Sequence, residues 1–218
     1  MCDPVISARL PRDAFLTTGQ ALVGFFLGTV LGTVVGLSLW LSRAALQITK
    51  PYLVFMGAIP IFALGPVFVF WFGTEVVSKI ALAVVATFSL AALQAYQGAR
   101  LCDPNLVRLG VAFGATRLQL LEKLIAPSAL TWVVGASRIN IGAALLASVV
   151  GEFISSRAGL GNLLIYAEGL YDINLMLGSV LCIGTIAILL NWAVNPLEAW
   201  VRRASPEATS SLSPWTST

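Results

Sequence analysis

The side chains in this sequence that could do chemistry are few, and their types exclude more than they permit. Histidine is absent from all 218 residues, which removes the commonest general base and the commonest metal ligand. Cys2, Cys102 and Cys182 are far apart, with neither disulfide nor metal spacing, so no metal site is expected. No G-x-x-x-x-G-K-[ST] loop is available to cradle a nucleotide phosphate. What remains is one polar stretch, CDPNLVRLGVAFGATRLQLLEKLIAP from Cys102, whose residues suit a mechanical contact. Asp103 followed by Pro104 reads as an N-cap and a first-turn proline. Leu106, Leu109, Gly110 and Phe113 recur at i, i+3, i+4 and i+7, one apolar helical stripe. Gly114 stops that helix, and Thr116 caps a second one, with Gln119 as its capping-box partner. Leu118, Leu121 and Ile125 continue an apolar face, and Pro127 marks the entry to the next apolar segment. Arg108, Arg117 and Lys123 make this elbow basic.

The elements that must hold the elbow are apolar throughout. The chain is 58% hydrophobic and 11% charged, with a mean hydropathy of +0.89. No Asp, Glu, Lys or Arg occurs in 14–42, 51–74, 80–99 or 173–197, and 124–151 is broken only by Arg138. Each run reaches the roughly 20 residues that cross a bilayer. The expected fold is therefore an all-α membrane protein with about five transmembrane helices, near 14–41, 53–73, 79–98, 126–150 and 174–199. A cytoplasmic pair of coupling helices at 103–125 joins the third span to the fourth. Residues 1–13 read as a tail, and the first apolar run is too long for a cleaved signal. Residues 204–218, rich in Ser, Thr and Pro, read as a disordered tail.

Charge gives the orientation. Arg43, Lys50, Arg100, Arg108, Arg117, Lys123, Arg202 and Arg203 fall on one side, and only Arg9, Arg12, Lys79 and Arg157 on the other. The richer side is cytoplasmic by the positive-inside rule, which places the N-terminus outside and the C-terminus inside. Arg9 and Arg12, directly before the first span, pull the other way. The basic residues are strung along loops with no aromatic interleaving, so no nucleic-acid partner is expected.

Within the spans, Gly24, Gly28, Gly32 and Gly36 fall on one helix face and read as a packing stripe. Pro60 and Pro66 break backbone hydrogen bonding in the second span, as a transport pathway or as inert kinks. Arg138 is an intramembrane charge, which either faces a pathway or a neighbouring helix or snorkels to an interface. Glu152, Arg157, Glu168 and Asp172 are expected in the loop between the last two spans, as a gate or as plain connection.

GATRLQLLEKLIAP resembles the loop motif E-A-A-x3-G-x9-I-x-L-P of the integral membrane permeases of ATP-binding-cassette importers. Gly114 stands at the motif glycine and Pro127 at its proline, with Leu124 and Ala126 at the Ile and Leu positions. Arg108, Leu109 and Gly110 replace Glu-Ala-Ala. KPYLVFMGAIPIFALGPVFVFWFG and GASRINIGAALLASVVGEFISSRAGLGNLLIYAEGLYD are similar to permeases of the nitrate, sulfonate and taurine group, which often carry one more helix before the first span.

The resemblance implies a transport subunit, not an enzyme, in a bacterial inner membrane. It implies pairing with a second permease copy and a periplasmic binding protein that delivers a small solute, such as nitrate, a sulfonate or taurine. A separate ATPase, which holds the ATP and Mg, would dock on the segment containing Arg108, Leu109, Gly110, Phe113, Gly114, Ala115, Thr116, Arg117, Leu118, Leu121, Lys123 and Pro127. The same basic helices could instead rest on anionic membrane lipid. Two other classes compete. An intramembrane enzyme lacks its nucleophile–base pair, and a passive channel lacks a repeated filter motif.

Overall fold

The fold begins from two stripes of small residues that meet. In the computed structural model, which describes residues 4–204, helix α1 (Pro4–Leu41) lies along helix α4 (Val76–Arg100). A Cβ placed on Gly24, Gly28, Gly32 or Gly36 would run into Ala83, Thr87, the Phe88 carbonyl or the Ala92 carbonyl, respectively. Helix α4 answers with Ala83, Ala91, Ala92 and Ala95, all fully buried. Lipid supplies no hydrophobic drive between helices, so this close backbone approach is what dispersion forces require. Thr87 donates its hydroxyl within its own helix to the Ala83 carbonyl at 2.9 Å and lies 3.3 Å from the Gly24 carbonyl of α1.

Around that pair pack helices α7 (Ala126–Ile154) and α9 (Ile173–Ala204). The central cluster joins Phe25 of α1, Leu82 of α4, Ile141 and Ala144 of α7, and Leu190 of α9. Two amides cross between α4 and α7, where Gln94 and Asn140 exchange hydrogen bonds of 3.1 and 2.9 Å. Among the described residues, four helices are long and apolar enough to cross a membrane, and one bent pair makes a possible fifth span.

The bent pair corrects the expected single span at 53–73. Helix α2 (Arg43–Ala58) and helix α3 (Ile61–Phe72) meet at 96°. Pro60 sits at the N-cap of α3 and has no N–H for the carbonyl of Met56, so the helix cannot continue. Pro66 lies inside α3. At the other end of α2, Ser42 alone separates it from α1, its side chain accepting from the Ala45 N–H at 3.3 Å.

One more boundary moves. Helix α1 starts at Pro4, so 4–13 is helical and not a tail. Pro127 lies within a continuous helix, because helix α6 (Arg117–Leu120), a π-turn (Leu121–Ile125) and α7 form one 38-residue helix. In the π-turn the N–H of Ala126 reaches back to the Leu121 carbonyl, a wide turn of the kind that absorbs local irregularity. The expected tail at 204–218 lies, apart from Ala204, outside the described residues.

Candidate functional site

The elbow is built by local rules. Helix α5 (Pro104–Ala112) begins where Asp103 accepts from the Asn105 N–H at 2.8 Å. It ends in a Schellman turn. Gly114 adopts φ +79, its N–H bonds to the Val111 carbonyl at 2.9 Å, and the Ala115 N–H bonds to the Gly110 carbonyl at 3.0 Å. Helix α6 then starts in a complete capping box. Thr116 accepts from the Gln119 N–H at 3.3 Å, and the Gln119 side chain accepts from the Thr116 N–H at 2.8 Å.

The elbow's residues divide into anchors and free surface. Gly110 lets α5 cross closely over Leu120, and Leu121 packs with Ala99, Ile125 and Ala129 of the bundle. Ile125 is buried, so it does not extend an exposed face with Leu118. Arg117 reaches back to the Leu41 carbonyl at 3.4 Å, a cation at the C-terminus of α1, where the helix dipole favours it. Outward point Leu109, Phe113 (83% exposed) and Leu118 (64% exposed), with Arg108 and Lys123 also exposed. Large apolar side chains held in a capped turn and left uncovered suit contact with either another protein or the membrane surface.

At the far end of the same continuous helix lies a second polar site. Glu152 is inside α7, not in a loop, and is 1% exposed. Its carboxylate accepts from the Thr17 hydroxyl at 2.8 and 2.9 Å and from the Gly161 N–H at 2.9 Å. Thr17 accepts from the Leu160 N–H at 3.0 Å, and Asp13 accepts from the Gly159 N–H at 3.0 Å. Three successive donors at the start of helix α8 (Leu160–Gly169) are thus each held by a side chain of α1 or α7. Gly159 has φ +109, and a Cβ there would strike the Glu152 carboxylate. Lys79, also buried, donates to the Thr74 and Glu75 carbonyls beside this clamp.

Arg138 is not free. Its guanidinium donates to Asn195 at 2.8 Å and Glu198 at 3.0 Å, tying α7 to α9, with the arginine side chain 54% exposed and the glutamate 14%. Pro60 and Pro66 belong to the broken span, where Gly65 packs against Ile154 at the end of α7. The sequence marks Lys79 only as an orientation charge and gives no sign of a role for Asp13, Thr17 or Ser89. Asp13 and Thr17 are four residues apart on one helix face, the only local signal that could have marked them.

This arrangement, a bundle of spans with a capped elbow between the third and fourth, agrees with the comparisons. Residues 24–204 match the family described as binding-protein-dependent transport system inner membrane component. The chain belongs to that family. A probable ABC transporter permease protein of Haemophilus influenzae is 32% identical over 180 residues, covering 83% of this chain and 74% of that one. The riboflavin transport system permease protein RibX of Chloroflexus aurantiacus is 33% identical, covering 73% and 58%. The taurine transport system permease protein TauC of Escherichia coli is 29% identical, covering 92% and 72%. An inward-facing structure of the MetNI methionine ABC transporter shares the fold, with a TM-score of 0.82 at 21% identity over 91% of this chain and 99% of that one. The permease is therefore a multi-pass membrane component of a transport system whose ATPase is a separate subunit.

Proposed function

We propose that two copies of this permease form the solute pathway of a bacterial importer. The N-termini lie outside, the elbows inside, and an ATPase subunit docks on each elbow. A periplasmic binding protein delivers the solute. The observation that carries this reading is the elbow itself, where Phe113 and Leu118 are exposed on a turn fixed by a Schellman bond pair and a capping box. The helix from Arg117 to Ile154 has 38 residues, about 57 Å at 1.5 Å per residue. It runs without a break from the elbow to the Glu152 clamp. A push on the elbow during ATP binding moves the outer clamp as part of one rod.

The solute is a small molecule. The sequence resemblance and the taurine relative support an anion of the nitrate, sulfonate and taurine kind. The riboflavin relative supports an uncharged heterocycle. Arg138 does not decide for an anion, because Asn195 and Glu198 already engage it.

Purification from the native membrane in mild detergent, followed by mass spectrometry, tests the reading. An ATPase accompanies the parent protein and is lost from Gly114→Pro, since proline cannot adopt φ +79. If no ATPase accompanies the parent, a passive channel or scaffold replaces the importer.

A further inference from the structure

The break between α2 and α3 opens onto a cavity of about 160 Å³. Its wall includes Gly57 and Ile59 of the α2 end, Ile61 of the α3 start, Ser89 of α4, and Ala143 and Leu146 of α7. Ser89, Ala143 and Leu146 lie within the apolar helices α4 and α7. The cavity opens past Leu146, which is 57% exposed.

Both half-helix ends leave backbone groups open there. No side chain caps α3, and among the described residues nothing accepts from the N–H groups of Ile61 or Phe62. On the other side, Pro60 has no N–H to offer the Met56 carbonyl. The third polar group is Ser89. It is 1% exposed, and none of the hydrogen bonds among the described residues uses its hydroxyl. Its oxygen points at Gly57, where an added Cβ would lie 3.5 Å away. Among the described residues, no ionisable side chain lines the cavity.

We propose that this cavity is a solute site for an uncharged, ring-sized heterocycle with a hydrogen-bonding edge that both donates and accepts. The α3 N-terminus favours negative charge and the α2 C-terminus positive charge, and the two ends face one space, so neither sign prevails. A bare anion would lose its hydration with no cation to receive it, which an apolar site disfavours. The volume matches an engineered cavity of about 150 Å³ that accepts benzene. One planar ring fits, its donor turned to the Met56 carbonyl and its acceptor to Ser89 or the Ile61 N–H.

The inference rests on the importer reading for what the site serves, but binding does not require an ATPase. The permease, purified from its membrane with its bound partners and placed in nanodiscs, is probed by ligand-observed NMR with 2-aminopyrimidine, taurine, methanesulfonate and nitrate. 2-Aminopyrimidine is expected to bind. Ser89→Ala weakens it about tenfold, and Gly57→Leu, which fills the cavity, abolishes it. Ser89→Ala removes only an unused hydroxyl, so it keeps the test valid if Gly57→Leu fails to fold. Binding of taurine, methanesulfonate or nitrate in place of 2-aminopyrimidine overturns the solute class. Ring binding that ignores both substitutions overturns the location, and no binding by any probe overturns the site. Loss of the ATPase from the preparation counts against the importer reading alone.

Discussion

The two ends of the helix that runs from Arg117 to Ile154 are finished in opposite ways. At the elbow, backbone donors and acceptors are satisfied locally, by Asp103, Gly114, Thr116 and Gln119, and large apolar side chains are left outside. At the clamp, the donors of α8 are satisfied only from a distance, by Asp13 and Thr17 of α1 and Glu152 of α7, and the polar groups are sealed inside. In the proposed importer, the end that engages the ATPase keeps its fold by itself and leaves its apolar surface for the partner. The other end holds its pieces by buried, shared polar contacts. Stability should therefore be concentrated at the clamp and coupling at the elbow.

The largest expected effect breaks the clamp. Glu152→Ala leaves the Gly161 N–H and the Thr17 hydroxyl without their shared acceptor. A buried donor without a partner costs about 1–3 kcal/mol, so the loss is about 3 kcal/mol for the two. The measurement is denaturant or thermal unfolding in detergent. Glu152→Gln keeps an acceptor oxygen and retains more than half of that stability. If Glu152→Ala unfolds like the parent, the clamp is not where that end of the bundle is held.

The next effect is separable from stability. Phe113→Asp or Leu118→Asp changes a side chain that no bundle residue covers, so unfolding shifts by no more than about 0.5 kcal/mol. Each removes an apolar anchor from the proposed docking face, and central anchors of an interface carry about 2 kcal/mol or more. ATPase affinity, read by titration of the reconstituted permease, falls about thirtyfold. A matching fall in stability would show that these side chains pack against the permease itself, and the contrast between the two ends would collapse. Arg117→Glu is a poorer probe, because it also removes the contact to the Leu41 carbonyl.

The same contrast explains what could be read from the sequence. The elbow was legible because its bonds span two to five residues: Asp103 to Asn105, Thr116 to Gln119, Gly110 to Ala115. Spacing and residue type carry such contacts. The clamp was not legible, because Thr17 and Glu152 are 135 residues apart, and Asp13 and Gly159 are 146 apart. By sequence Asp13 reads as tail and Glu152 as loop, since a charge at the edge of an apolar run looks like its end. Here each carboxylate continues its helix, because the partner that satisfies it comes from elsewhere in the chain. The glycine stripe is an intermediate case. Gly24 to Gly36 can be seen at fixed spacing, but the alanines of α4 that receive them emerge only in three dimensions. The break at Pro60 is another. Proline announces an interruption, but the 96° turn and the cavity beside it depend on α4 and α7.

The smallest effect tests whether the elbow's order is indeed its own. Thr116→Ala removes the side-chain acceptor for the Gln119 N–H and costs about 1 kcal/mol at the start of α6. Because the long helix continues through the π-turn into buried contacts at Ile125 and Ala129, the loss should stay within the first turn. Hydrogen exchange should quicken about fivefold at the Gln119 amide, a 1 kcal/mol change by the usual relation between free energy and rate. Exchange around Gly161, at the clamp, should be unchanged. Exchange that quickens at both ends would mean that a disturbance of the elbow already travels along the helix without a partner, and that the two ends are one cooperative unit. Exchange confined to Gln119 would mean that the elbow frays alone, and that only a docked partner turns its movement into movement of the rod.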